Sequence, residues 1–317
     1  MSRTPVQVIR YPGDPCPASW RQPVLAIGNF DGMHRGHARI LDRVVRQAAE
    51  RGATPVVLTF DPHPARVLSP DKAPQLLMTG EQRLEALARA GIEGVAIVSF
   101  TPDLARWEPE LFVERVLADW LRVAEVWVGA GFLFGRDRSG NFSLLRLLGV
   151  RHGFRAEKID AVRHREAVVS SSRVRRLVGE ARVDEAAALL GHHYFIDGTV
   201  VPGRRRGREL GFPTANLETD NELLPPRGVY ATVTGLDETI RAGITNIGLR
   251  PTFADVTQTV IENHLFDFDR DIYGARLRVW FVRRVRDERT FDGPASLVAQ
   301  IRADCRAARE LFGRVSL

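Results

Sequence analysis

The fold is most plainly indicated by residues 24–37, VLAIGNFDGMHRGH. The apolar run at the start predicts a buried strand over residues 24–30. Glycines punctuate the turn that follows, and an amphipathic helix is predicted over residues 37–51, closed by Gly52. A glycine-spaced turn between a strand and a helix lets backbone approach a ligand closely, and the helix start offers free N–H groups to a phosphate.

The same alternation of strand and helix continues through the first half of the chain. Units of this length predict a Rossmann-like α/β domain, a parallel sheet with helices on both faces. Such sheets bind ligands beyond the carboxyl ends of their strands, so the loops after Phe30, Phe60 and Val128 are expected to surround one site. The further elements are predicted at residues 55–60, 81–90, 95–100, 109–121 and 124–128.

The pattern changes after Gly191. Residues 170–190 predict a helix that Gly179 or residues 182–183 divide in two, and residues 294–312 predict a terminal amphipathic helix. Short strand-like runs separated by Gly, Pro and Asp turns predict a closed antiparallel β-barrel. We therefore predict two domains, residues 1–186 and 187–317. The runs of the barrel are residues 194–201, 229–234, 242–247, 259–268 and 277–285.

Composition narrows the class of protein. A chain of 317 residues with 44% hydrophobic residues can build two ordinary cores. Its two cysteines, Cys16 and Cys305, exclude a disulfide framework and favour a reducing compartment. There is no long apolar run and the start lacks a signal-peptide pattern, so a cytoplasmic protein without a membrane partner is expected. The net charge of +6 favours anionic ligands.

Two histidines stand three residues apart at the predicted helix start. His34 and His37 can share one helix face and point at one ligand. Imidazole donors there suit attack on an α-phosphate, where charge builds on the phosphate oxygens. The pair is also compatible with a metal site in which Asp61 and His63 are further ligands.

A second motif, GRELGFPTAN, covers residues 207–216. Its glycines permit a loop that wraps a phosphate, and its arginine suits polyphosphate charge. Thr214 and Asn216 alternate along an extended segment, so both can offer hard oxygen ligands to one Mg²⁺. A basic loop of a nucleic-acid-binding barrel is the alternative, but only Phe212 is nearby for base stacking, so no nucleic-acid partner is expected.

A carboxylate lies within a later strand pattern. Glu262 and His264 are predicted on one face of the strand, and Ile261 and Leu265 on the other. A carboxylate flanked by apolar residues is costly unless it is paired or used. Glu262 is therefore a candidate functional residue, and His264 is interpreted as structural.

These motifs resemble, in order, those of the bacterial bifunctional riboflavin kinase/FAD synthetase family. The resemblance spans nearly the whole chain and implies an ATP-dependent enzyme with two sites. One site converts riboflavin and ATP to FMN and ADP, and the other converts FMN and ATP to FAD and pyrophosphate. The matching segments are residues 28–37, 59–64, 134–141, 169–175, 207–216, 228–231, 246–253 and 259–268.

The resemblance implies roles for residues of the first domain. His34 and His37 would stabilise the adenylyl transfer, Asp61 would help to organise metal and phosphates, and residues 171–175 would close over the triphosphate. Phe134 and Arg138 are expected on the flavin side. The nucleotide-binding residues expected here are Gly28, Asn29, Phe30, Asp31, Gly32, Asp61, Ser171, Ser172, Arg173 and Arg175.

It also implies roles in the barrel. Glu262 would be the general base that takes a proton from the ribityl hydroxyl of riboflavin, and Thr214 and Asn216 would hold Mg²⁺. Tyr230 and Arg250 are expected to contact the flavin. The ATP-binding residues expected in this domain are Gly207, Arg208 and Gly211.

One position departs from the family pattern. The family usually carries an acidic or amide residue before Phe132, where this chain has Gly131. One lost hydrogen bond costs roughly 1–3 kcal/mol, so adenylylation is slowed unless a neighbour replaces the contact. One alternative is therefore a riboflavin kinase with a weak or inactive adenylyltransferase domain. A flavin- or RNA-binding regulatory protein is a second alternative, which does not depend on Gly131.

Overall fold

The computed structural model describes residues 6–203, 207, 210–251 and 257–313. These residues form two compact units, Met1–Ser170 and Ser171–Leu317. In the described part of the chain, no helix is long and apolar enough to cross a membrane.

The first unit is built on a six-stranded sheet in which every pairing is parallel. Its strands are β1 Gln7–Tyr11, β2 Val24–Ile27, β3 Pro55–Asp61, β4 Gly94–Ser99, β5 Glu125–Gly129 and β8 Arg155–Ile159, in the order β1-β4-β3-β2-β5-β8. Two small hairpins pair β6 Leu133–Phe134 with β7 Gly140–Asn141, and β9 Arg163–His164 with β10 Ala167–Val168. The strand order reverses between β2 and β5, which is where such sheets bind ligands.

Helices cover both faces of this sheet, as predicted. They are α1 Arg35–Arg51, α2 Pro64–Leu68, α3 Gly80–Arg89, α4 Pro102–Ala105, α5 Pro109–Phe112 and α6 Phe142–His152. The segment predicted as one helix over residues 109–121 is α5 followed by a π-helical run, Val113–Trp120. Short 3₁₀ turns lie at Pro70–Lys72 and Arg136–Arg138.

Alternation along the central strands explains the two-faced packing. Leu25 and Ile27 of β2 point into the core shared with the π-helical run and α6. Val24 and Ala26 point into the core shared with α1. Because both faces of β2 are buried, its sequence is a continuous apolar run. The edge strands β1 and β8 bury only Ile9 and Ala156 respectively, so the apolar pattern did not predict them.

The second unit is a closed six-stranded antiparallel barrel with flanking helices. Its strands are β11 Tyr194–Val201, β12 Ala215–Glu218, β13 Gly228–Leu236, β14 Thr239–Pro251, β15 Thr257–Leu265 and β16 Arg276–Asp287, in the order β11-β12-β15-β14-β13-β16. The predicted two-part helix is α7 Ser171–Gly179 and α8 Val183–Leu190, and the terminal helix is α9 Pro294–Gly313. The predicted fold class, α/β followed by a β-barrel with a terminal helix, is confirmed.

Candidate functional sites

The turn after β2 forms the first candidate site, at the carboxyl edge of the sheet. Phe30, Gly32 and Met33 have positive φ angles of 49°, 87° and 46°, so the chain reverses tightly here. The Phe30 side chain is 1% exposed and packs against the ring of His37, with ring centroids 5.0 Å apart. Only the backbone of Phe30 can therefore reach a nucleotide, whereas Gly28 and Gly32 place bare backbone along the turn.

His34 and His37 lie together, as the three-residue spacing predicted. Their rings stack with centroids 3.7 Å apart and planes inclined by 15°. His34 is the N-cap of α1, and its Nδ1 accepts a hydrogen bond of 3.2 Å from the His37 N–H. In the neutral ring, the Nε2 atom of His34 then carries the hydrogen. A Cβ at Gly36 would lie only 3.0 Å from the His34 ring, so a larger residue there would force that ring to shift.

The ends of β2 and β3 bring further predicted residues to this turn. The Asn29 Nδ2 atom lies 2.9 Å from His63 Nε2, and His63 caps α2 through its Nδ1 atom. Asp61, at the end of β3, is exposed and lies 3.5 Å from the Arg10 guanidinium. No group of three or more His, Cys, Asp or Glu side chains in the described residues is arranged to hold a metal ion. The structure thus gives no support to a metal site on this histidine pair.

Asp31 has a different environment from its neighbours in the turn. It is 3% exposed, and its two carboxylate oxygens accept hydrogen bonds of 3.0 Å from the backbone N–H groups of Leu77 and Met78. These contacts hold the segment that leads into α3. A second contact returns from that helix, because Arg83 donates to the backbone carbonyl of Asn29. Arg83 was not predicted from the sequence, since a lone arginine on an amphipathic helix carries no signal.

The expected flavin-side loop follows β5. Phe134 is 9% exposed and stacks on Phe132, with centroids 5.3 Å apart. Arg138 is exposed, with a φ of 60°, in the short turn that follows. Gly131 is also exposed, and a Cβ at this position would have no atom within 4 Å.

Ser171, Ser172, Arg173 and Arg175 lie at the start of α7. This helix belongs to the second unit. The approach of these four side chains to the phosphates of ATP stays a prediction.

In the barrel unit, a cavity of about 430 Å³ contains the second candidate site. It is lined by the predicted Thr214, Asn216 and Glu262, together with Asn246 and side chains of α9. Register explains the grouping, since Glu262 of β15 pairs with Asn216 of β12 on one side and with Asn246 of β14 on the other. Asn246 Nδ2 donates to Glu262 Oε2 over 3.3 Å.

Two glycines, Gly203 and Gly207, lie against Asn216 and Thr214 of this group. A Cβ at Gly203 would collide with the Asn216 amide, and one at Gly207 would collide with the carbonyl of Phe212 and lie 3.0 Å from Thr214 Oγ1. Glycine is therefore needed here for close approach. Gly211 is in the left-handed region, with a φ of 83°. Arg208 and the side chain of Arg250 lie outside the described residues.

A second cavity of the barrel unit, of about 320 Å³, shares Thr214 with the first. Its walls include Pro213, Arg270 and Tyr273. This cavity was not predicted from the sequence, because its walls come from loops distant in sequence. Two cavities that meet at one threonine are suited to two substrates that react with each other.

Tyr230 lies in neither of these cavities. Its side chain is fully buried, its hydroxyl donates to the carbonyl of Pro226, and its ring packs edge-on against Phe281. Burial raises the pKa of the Tyr230 phenol to about 12. The placement corrects the expectation of a flavin contact, because the side chain points into the barrel core.

Comparison with known proteins agrees with the division into two sites. The FAD synthetase family matches residues 16–173, and the riboflavin kinase family matches residues 190–312. The bifunctional riboflavin kinase/FMN adenylyltransferase of Escherichia coli strain K12 is 38% identical over 92% of this chain and 93% of its own length. The protein of that description from Bacillus subtilis strain 168 is 35% identical, with the same coverage.

A solved structure shares the fold. The crystal structure of a macrolide-efflux protein from Streptococcus pneumoniae matches with a TM-score of 0.86 and 27% identity, over 96% of this chain and 99% of that one. The α/β sheet with its histidine turn and the barrel with its carboxylate cavity define a transferase with two sites. The chain belongs to the bifunctional riboflavin kinase/FMN adenylyltransferase family.

Proposed function

We propose that the barrel unit transfers the γ-phosphate of ATP to riboflavin, giving FMN and ADP. Glu262 accepts the proton of the ribityl hydroxyl as its oxygen attacks the γ-phosphorus. Asn246 orients the carboxylate through the hydrogen bond to Oε2. The 430 Å³ cavity, with Glu262 in its wall, takes the flavin, and the cavity across Thr214 takes ATP.

The residues around Thr214 also fit Mg²⁺. The hydroxyl of Thr214 and the amide oxygen of Asn216 are hard ligands in the wall of the cavity that contains Glu262. Bound Mg²⁺ neutralises charge on the ATP phosphates. Gly207 lies close to the Thr214 hydroxyl, so Mg²⁺ and the phosphates would share a narrow space there.

The first unit carries the second reaction. A phosphate oxygen of FMN attacks the α-phosphorus of ATP, and pyrophosphate leaves, giving FAD. His34 and His37 donate hydrogen bonds to the phosphate oxygens on which charge develops. The contacts of Asp31 favour a positioning role, since its two oxygens already accept backbone hydrogen bonds.

Matches to both family descriptions, one in each half of the chain, carry this proposal. We propose functional domains of residues 1–186 and 187–317, and we place the enzyme in the cytoplasm. Apart from Gly131, no observation on the described residues favours a kinase without adenylyl transfer, and none favours a regulatory RNA-binding protein.

Separate variants test the assignment of the two reactions. We expect Glu262→Gln to abolish FMN formation from riboflavin while FAD formation from supplied FMN continues. We expect His37→Ala to slow FAD formation from FMN while FMN formation continues. The loss of activity expected in each variant is about 10²-fold or more. Glu218→Gln, on an exposed position of β12, is the matched control for the glutamate. Chromatography separates riboflavin, FMN and FAD over time. Full kinase activity in Glu262→Gln would contradict the base assignment.

A further inference from the structure

Arg83 projects a charged group toward the turn after β2, which forms the first candidate site. It lies in the second turn of α3, and its side chain is partly buried. Its Nη1 atom donates to the carbonyl oxygen of Asn29 over 3.2 Å. The guanidinium therefore lies at the carboxyl edge of the sheet, beside the turn that precedes His34.

The segment that leads into α3 is held at two points, and this fixes the position of Arg83. Asp31 holds the N–H groups of Leu77 and Met78, immediately before the helix. Thr79 and Gln82 then form a capping box at the start of α3, with hydrogen bonds of 3.2 and 2.9 Å. Arg83 is therefore presented by a helix start that is anchored to the turn itself.

The charge of Arg83 has little compensation. No carboxylate among the described residues forms an ion pair with it within 4.0 Å, and its one side-chain hydrogen bond in that part of the chain goes to a neutral carbonyl. Burial lowers the pKa of the guanidinium, whereas Asp31 and Asp61 raise it. Asp31 is occupied by backbone donors, and Asp61 lies 3.5 Å from Arg10. A desolvated cation that uses one of its five donors calls for an anionic ligand.

We propose that Arg83 binds a phosphoryl group of a substrate of adenylyl transfer. This inference rests on the proposed function of the first unit. The planar guanidinium matches phosphate oxygens in geometry and charge. Both substrates offer this chemistry, through the triphosphate of ATP or the phosphate of FMN, and kinetics can tell the two apart.

A structural role would be limited to bracing the Asn29 carbonyl. Glutamine retains an N–H donor without a charge, and lysine retains the charge, so the pair of variants separates bracing from phosphate binding. We expect Arg83→Gln to raise KM about tenfold for ATP or for FMN, whichever supplies the phosphate, and Arg83→Lys to keep most of the affinity. Arg89→Gln, on the exposed side of α3, should change neither KM.

The full chain is used, and its riboflavin kinase activity reports that each variant is folded. Unchanged KM values for both substrates in Arg83→Gln, or equal effects of the glutamine and lysine variants, would overturn the proposal.

Phenylglyoxal labelling of the unaltered chain gives a readout that needs no variant. Saturating ATP with Mg²⁺, or saturating FMN, should slow labelling of Arg83, followed by mass spectrometry. No protection by either substrate also overturns the proposal. Absence of FAD formation by the unaltered chain would refute the proposed function instead, while labelling still decides the role of Arg83.

Discussion

At the scale of single residues, the environment of a side chain separates binding groups from positioning groups. Asn29 and Asp31 stand two positions apart in one turn, yet Asn29 contacts His63 and Asp31 is buried against Leu77 and Met78. The difference arises because the left-handed Phe30 between them redirects the chain. One motif therefore contains a buried, anchoring carboxylate beside an amide that contacts His63.

Gly131 provides a prediction at this scale. The position is exposed and is not left-handed, and a Cβ added there would have no atom within 4 Å, so a longer side chain fits without a clash. We expect Gly131→Asp to raise kcat/KM for adenylyl transfer about tenfold, equivalent to ~1.4 kcal/mol. Initial rates of FAD formation from FMN measure the effect. Gly131→Ala, which adds bulk without a polar group, is the control, and an equal gain in both variants would refute a polar contact.

At the scale of elements, α9 closes one side of the kinase cavity through a buried ion pair. Asp304 is 2% exposed and accepts hydrogen bonds of 3.0 and 2.9 Å from Arg286 Nε, with a further one of 2.6 Å from Gln300. Both Asp304 and Arg286 line the cavity. The position of the helix, and hence the shape of the cavity, depends on this contact.

Removing the charge of Asp304 should loosen α9. We expect Asp304→Asn to lower the free energy of unfolding by about 2 kcal/mol and to raise KM for riboflavin several-fold. The loss of stability is smaller than for a fully buried pair because Arg286 is partly exposed. Cys305 reports the same event. The pKa of the Cys305 thiol is raised to about 11 from an ordinary 9.0, mainly by burial and further by the charge of Asp304. Loss of the Asp304 charge lowers that pKa by itself, and loosening of the helix lowers it further, so more thiolate is present at pH 8 and alkylation is faster.

Glu310→Gln is the control for this prediction, since Glu310 is exposed on the same helix. Alkylation of Cys305 is followed by mass spectrometry, and KM by kinase assay. Unchanged alkylation and unchanged KM in Asp304→Asn would show that apolar packing alone holds α9.

At the scale of the whole molecule, the helices α7 and α8 belong to the barrel unit. The face of α8 that carries Val183, Ala186, Leu189 and Leu190 is buried. Asp184 of this helix lies 3.8 Å from Arg283 of β16. A chain that begins at residue 187 lacks half of that face, and each lost apolar side chain costs about 1–3 kcal/mol.

We therefore expect the fragment 171–317 to melt at least about 5 °C above the fragment 187–317. Calorimetry of both fragments measures the difference, and kinase assays show which of the two fragments retains the activity. Equal melting temperatures would favour the functional boundary near residue 186 and would show that α8 adds little to the barrel.

Local patterns predicted much of this molecule. The apolar runs of β2 to β5, the histidine spacing and the alternation around Glu262 were all visible, because each depends on residues within a few positions of one another. Edge strands β1 and β8 escaped prediction, since an edge strand buries too few side chains to produce a pattern.

The order of residues along the chain was enough to indicate an α/β sheet, a barrel, and the two motifs at their strand ends. Only the tertiary structure decided which side chains are buried and which contact distant segments of the chain. Asp31 meets partners 46 and 47 residues away, Tyr230 turns into the core, and Arg83 reaches back 54 residues to Asn29. The physical reason is that helix and strand periods follow from neighbouring residues, whereas burial and charge compensation depend on contacts that exist only once distant segments have packed.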